Sequence, residues 1–482
     1  MTASSGNETA SNSHVPQSLD FPSTIPPADG SHAPAISQNH RKGKIVWETS
    51  LGDLTNGFPR VAYGKWVVAG VVGAPRFQTA NLHKLDNITY QTEILMSNLS
   101  PIETLQSAFP SWQTSPTAYP ANVVPYPGVN QFFLEGPAYH GKPTRIFGFW
   151  QLPEGADAAH PVPGIVLIHG GGGTALPDWV QLWNQRGFAA IAVDNCGKVP
   201  AWSLCTRYNT AWPQHEFSGP DGWDPACYAQ TDEPFEDQWP FHAVAANILA
   251  HSFLRAQPGV DADRIGLGGI SWGGVITLWT AAIDHRFRFA IPVYGTGFWE
   301  RESKYIPEGG CDYGVFCKWC DLWDPANFVS RIPMPTLLFG STNDYHFPID
   351  TAFKTAHAIG DHAWMVERPE YPHDHFTPDR EEICPDFARA VLAGQRLHRP
   401  GKPHCEGNTL VAEYDAAGRK VIAGYLLYTR AIGCWTDRRF QAKRATLREG
   451  VLSCELPPMT TAAFFNLEDD RHYEIASDLW EC

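Results

Sequence analysis

The sequence predicts an α/β fold, a mostly parallel sheet covered by helices on both faces, and three observations carry that expectation. From about residue 125 to residue 400, short apolar runs of strand length alternate with helix-length segments, the pattern of a parallel sheet with helical crossovers. One run, Gly164-Ile165-Val166-Leu167-Ile168, ends directly in His169-Gly170-Gly171-Gly172-Gly173. Another, residues 265–270, passes through Gly269-Ile270-Ser271-Trp272-Gly273-Gly274 into the helix-like stretch Val275-Ile276-Thr277-Leu278-Trp279.

Taken in chain order, Met1 to Lys44 is rich in Ser, Asn, Pro and His and has no apolar segment behind a basic start. It reads as a disordered tail without a secretory signal, so a cytoplasmic protein is expected. Residues 45–124 hold mixed apolar runs such as Lys65 to Val72 and are expected to form an N-terminal extension packed on the core. The catalytic domain is expected over 125–400. Gln131 to Glu135 and Thr144 to Trp150, separated by Tyr139-His140-Gly141-Lys142-Pro143, predict an antiparallel hairpin that opens the sheet. Strands at 164–168, 189–193, 265–270, 289–294, 335–340 and 363–369 follow, with helices at 177–187 and about 239–256 and after Ser271. Such alternation places a site at the carboxyl ends of the strands. Residues 195–238 and 298–326 are rich in Trp, Tyr, Cys, Pro and Gly without clear periodicity, and they are expected to be cap insertions over that site. Trp202, Trp212, Trp223, Phe298, Trp299 and Trp319 are the pocket candidates, although for any single one ordinary packing is the stronger reading, because aromatics dominate cores. From 401 to 482, Lys420 to Tyr428 and Thr461 to Leu467 predict a small β-rich C-terminal domain.

With 482 residues, 43% apolar and 12% aromatic, the chain can bury a sizeable core. A net charge of -15 gives no footprint for nucleic acid or an anionic membrane, and no apolar span is long enough for a transmembrane helix. A small-molecule partner is expected, and the oligomeric state is left open. Eleven scattered cysteines do not form a compact disulfide framework; without a signal most are expected to be reduced, and Cys317-Lys318-Trp319-Cys320 lacks the second pair of a metal motif.

The chemistry follows from the two glycine-rich turns. In Gly269-x-Ser271-x-Gly273, the serine sits on a sharp strand-to-helix turn that lifts its hydroxyl above the sheet, while the glycines let neighbouring chain pass closely. A tetrahedral oxyanion needs preorganised N–H donors; Gly171 or Gly172 and the amide of Trp272 are placed to supply them. No Gly-Lys-Ser/Thr follows the glycine loop, which sets phosphate binding aside. An acid and a histidine are expected next, each just past a strand. Asp344, after the run Pro335 to Gly340, is the candidate acid, with Asp350 the weaker one. For the base, Pro372-His373-Asp374-His375 offers two imidazoles; His375 is preferred, with His373 the alternative base or a residue that positions substrate or the loop. The same His-x-His step could start a zinc site, but no third and fourth ligands are evident.

These segments, with Pro292-Val293-Tyr294-Gly295-Thr296-Gly297-Phe298 and Gly340-Ser341-Thr342-Asn343-Asp344, resemble the α/β-hydrolases of the dienelactone hydrolase and acetylxylan esterase-like group over roughly residues 125–400. The resemblance implies a serine carboxylic-ester hydrolase working without metal or organic cofactor. Dienelactone hydrolases proper carry a cysteine where this chain has Ser271, so dienelactone is not the implied substrate. Two other functions stay open: the same triad used for acyl transfer or carbon–carbon cleavage, and a hydrolase fold that binds without turnover.

Overall fold

The computed structural model describes residues 99–201, 212–222, 226–299, 313–374 and 381–482, all within one unit of the chain, Ala80–Cys482. The expected tail and the Lys65 to Val72 run lie outside the described residues, as do Trp202, Trp223 and His375.

A nine-stranded sheet organises the molecule. In chain order its strands are β1 (Ala118–Ala121), β2 (Asn130–Tyr139), β3 (Lys142–Gln151), β4 (Val162–Ile168), β5 (Ala189–Val193), β6 (Val260–Ile270), β7 (Ala290–Val293), β8 (Thr336–Ser341) and β9 (Ala363–Arg368). Across the sheet they run β1-β2-β3-β5-β4-β6-β7-β8-β9. The first three are antiparallel and the last six are parallel. The β2–β3 hairpin turns on His140 and Gly141, with φ of 47° and 70°, the positive-φ pair that a tight two-residue hairpin requires.

Two faces of helix cover the sheet. Helix α1 (Pro101–Trp112) starts in a capping box, the Ser100 side chain accepting from the Glu103 amide while Glu103 Oε2 accepts from the Ser100 amide at 2.8 Å. Then come α2 (Pro177–Gln185), α3 (Trp239–Arg255), α4 (Trp272–Ile283), α5 (Tyr313–Trp323), α6 (Ile349–Ile359) and α7 (Ile383–Leu392). Proline at the first turn opens α2 and α3, where a missing N–H costs nothing. Every residue of α4 is buried, so the helix behind Ser271 is apolar all round, as an internal helix must be.

Two features of the fold go beyond the sequence reading. The 298–326 insertion is not wholly irregular: it contains α5, whose aromatic residues Phe316, Trp319 and Trp323 form one buried stripe. The segment before residue 125 also contributes β1, which joins the sheet edge by pairing with β2.

At the C-terminus two further five-stranded antiparallel arrangements form the β-rich addition. Strand Ala462–Asp469 is buried along its whole length, because alternate side chains serve two cores. Phe464 joins the main core, while Phe465 and Leu467 pack with Leu410, Leu426 and Leu452 in a small separate one.

Candidate active site

Strand β6 ends at Ile270, and Ser271 takes φ 59° and ψ -122° before α4 begins at Trp272. A non-glycine residue in that region is strained, and it persists only where its surroundings fix it. Here they do: the Ser271 amide donates to Val293 O at 2.8 Å. The turn is also crowded. A Cβ on Gly269 would lie 2.3 Å from Gly273 O, and one on Gly273 would lie 2.1 Å from Ile168 O. Glycine at both positions is therefore a steric requirement of bringing the end of β4 against the start of α4.

The loop after β4 is held by a buried polar chain. His169 Nδ1 donates to Gly170 O at 3.0 Å, and its Nε2 accepts from the Asn195 amide at 3.1 Å. Burial pushes the His169 imidazole below its ordinary pKa, in keeping with that neutral tautomer. Asn195 is itself fixed by Trp239 Nε1, which donates to its carbonyl at 2.7 Å, and by Asn247 Nδ2, which donates to Oδ1 at 2.7 Å. Gly171 is seated on the Trp272 indole, where a Cβ would come within 2.8 Å of Cδ1. Gly172 has φ of 70°. Of the three residues expected to form an oxyanion hole, Gly171 and Trp272 are thus in contact, and Trp272 directly follows Ser271.

The preferred His375 lies outside the described residues, and His373 stands next to Ser271. Its Nε2 lies 3.0 Å from Ser271 Oγ, and its Nδ1 donates to Asp344 Oδ2 at 2.7 Å. The reason is the path of the chain. After β9 it turns at Glu370, with φ of 50°, and the Tyr294 hydroxyl donates to Pro372 O at 2.9 Å, which holds the segment with His373 against the serine. Asp344 is buried, and its Oδ1 accepts from the amides of His346 and Phe347 at 2.8 Å each. The weaker candidate, Asp350, belongs to the first turn of α6 and pairs with Lys354.

Two neighbours of His373 escaped the sequence reading. The Tyr294 ring is 4.7 Å away and the His346 ring 4.8 Å away. Burial, and then the proximity of His373, push His346 down to about 4, so at neutral pH it adds no positive charge beside His373. Tyr294 was already inside a quoted segment; its place after a strand, before Gly295, was the available signal. Of the aromatic candidates, Trp299 and Trp319 are stacked 5.2 Å apart and fully buried, and Trp212 is buried; Phe298 has φ of 64° and its amide donates to Asp324 Oδ1 at 2.9 Å.

A strand order that turns back at β5-β4, a nucleophile-type turn after β6, and an acid and a histidine after β8 and β9 occur together. The chain has the α/β-hydrolase fold. Over residues 234–368 it matches the model of the prolyl oligopeptidase family. No curated protein sequence matches it significantly. Among solved structures, the chain is similar to acetyl xylan esterase from Paenibacillus sp. R4, with 21% identity over 61% of this chain and 95% of that one and a TM-score of 0.46. It is similar also to acetyl xylan esterase 1 from Thermoanaerobacterium sp. JW/SL YS485, at 18% identity over 60% and 94% of the two chains, TM-score 0.45. The acylaminoacyl peptidase of Pyrococcus horikoshii is 19% identical over 56% of this chain and 42% of that one, TM-score 0.40.

Among the described residues no group of three or more His, Cys, Asp or Glu is arranged to hold a metal ion. No helix among them is long and apolar enough to cross a membrane.

Proposed function

We propose that the protein is a serine hydrolase that cleaves carboxylic esters of small acyl groups through an acyl-enzyme on Ser271. The observation that carries this reading is the continuous hydrogen-bonded line from Ser271 Oγ to His373 (3.0 Å) to Asp344 (2.7 Å), with the serine held at positive φ. In this mechanism His373 takes the serine proton as Oγ attacks the carbonyl carbon, and Asp344 stabilises the imidazolium without itself taking the proton. The amides of Trp272 and of Gly171 or Gly172 receive the oxyanion. The imidazolium then protonates the leaving alcohol, and water repeats the sequence on the acyl-enzyme. A small acyl group is favoured by the packing around the serine: Ser271 is 5% exposed, and Trp272, Trp299 and Phe347 follow one another at ring separations of 5.2 and 5.9 Å.

The test is hydrolysis of 4-nitrophenyl acetate, butyrate and octanoate. Ser271→Ala and His373→Ala are expected to lower kcat by on the order of a thousandfold or more, and His375→Ala to retain most of it, with acetate the best substrate. Loss of activity in His375→Ala but not in His373→Ala would return the base to His375. A fluorophosphonate that fails to label the wild type would instead favour a hydrolase fold that binds without turnover.

The match to the prolyl oligopeptidase family model favours a second reading, in which the same line of residues opens a peptide amide. Turnover of peptidyl 4-nitroanilides, with the esters inert, would decide for it. New esters formed when an alcohol acceptor is added would mark acyl transfer.

A further inference from the structure

We propose that Asn343 is a positioning residue through which the C-terminal β-rich addition holds Asp344 in line with His373. The proposal rests on the serine-hydrolase reading above. Asn343 directly precedes the acid, and its side chain faces away from it into another part of the molecule. Nδ2 donates to two backbone carbonyls, those of Thr436, at 3.5 Å, and Arg438. On its other side, Asn343 Oδ1 accepts from the Thr342 hydroxyl at 2.9 Å.

Thr342 carries the connection to the second loop of the site. Its amide donates to Arg368 O at 3.0 Å, and its Oγ1 accepts from the Glu370 amide at 3.2 Å. Arg368 and Glu370 are where the chain leaves β9 towards His373. One short network therefore spans the acid loop, the histidine loop and the C-terminal addition.

The C-terminal end of that network is built to be rigid. Trp435 and Thr436 are buried, the Arg438 guanidinium lies 3.6 Å over the Trp435 ring, and its Nε and Nη2 donate to Gly433 O at 3.1 and 3.0 Å. A side-chain amide docked on such a turn fixes the backbone just before Asp344. Displacing a catalytic group by an ångström is enough to cost on the order of a hundredfold in rate.

The experiment uses the full chain with Asn343→Ala and Asn343→Leu, the second keeping side-chain volume while removing the donors. Both are expected to lower kcat on a 4-nitrophenyl ester by on the order of tenfold to a hundredfold, with KM changed by less than about twofold. Fluorophosphonate labelling of Ser271 should slow by the same factor, and the acid limb of kcat/KM should move to lower pH as the imidazolium loses its well-aligned carboxylate. Leu452→Ala, which opens the small C-terminal core without touching Asn343, is expected to lower Tm while leaving the labelling rate within about twofold. Thr342→Val gives an independent break in the same network and is expected to slow labelling as well. Labelling of Asn343→Ala at the wild-type rate with an unmoved pH profile would overturn the proposal, as would full recovery by Asn343→Leu. A wild type that does not label at all overturns the serine-hydrolase reading and takes this proposal with it.

Discussion

Glu367 lies one strand away from Asp344 with both carboxyl oxygens buried and without a hydrogen-bond partner. Its side chain covers Gly340, where a Cβ would come within 2.5 Å of Oε1. Burial, and then the charge of Asp344, hold its pKa well above the ordinary glutamate value. Burial thus favours the neutral acid in the folded chain. Once pH exceeds about 4.3, where an exposed glutamate ionises, the unfolded chain releases a proton that the folded one keeps, so this residue makes stability fall as pH rises. Glu367→Gln should therefore gain on the wild type between pH 5 and pH 8, measured as the difference in Tm at each pH; a constant difference would contradict a neutral Glu367. At this scale the sequence was partly readable. Ser271 and Asp344 announce themselves through their place after apolar runs and beside glycine. The choice between His373 and His375 depended on how the chain turns at Glu370, and no local residue pattern encodes that path.

The elements owe their placement to close approaches more than to propensity. Where β4 ends against the start of α4, and where Gly295 meets Gly274, backbone touches backbone: a Cβ on Gly295 would lie 2.2 Å from Gly274 C. Gly273→Ala is expected to fail in both fold and function, with a Tm loss of several degrees or more and no measurable fluorophosphonate labelling, because the new methyl meets the Ile168 carbonyl at 2.1 Å and rigid backbone cannot yield as a side chain can. Full labelling at wild-type Tm would show that α4 can shift. The strands were legible because burial on both faces makes them continuous apolar runs, as in Val162–Ile168 and Thr336–Ser341. Helix α5 was not, since Tyr313–Trp323 mixes aromatics, cysteine and glycine, residues with weak helical preference that tertiary packing overrides.

Across the whole molecule, the C-terminal strands share a core with the parallel sheet: Leu427, Trp435, Phe440, Phe464 and Ile475 pack with the residues of β8, β9 and α6. A chain ended after Pro400 would expose that face and is expected to be recovered insoluble or without a cooperative thermal transition, whereas the full chain unfolds these parts together; calorimetry of both settles it. Buried imidazoles set a second global property. His169, His242, His251, His346 and His398 are all pushed below the ordinary histidine value, chiefly by burial. Between about pH 6.5 and 4 the unfolded chain binds protons that the folded chain refuses, so stability falls as the medium is acidified through that range. A Tm flat from pH 7 to pH 4.5 would refute this. Finally, the tryptophans behind the serine close a circuit: Trp239 to Trp272, Trp272 to Trp299 and Trp299 to Trp319 are each 5.2 Å apart, and Trp319 to Trp279 and Trp279 back to Trp239 each 6.1 Å. At such spacings the electronic transitions of the five indoles couple as one chiral chromophore. Ultraviolet circular dichroism should then carry an exciton signature that reports directly on the turn bearing Ser271, so its integrity can be followed optically, without a label or a substrate.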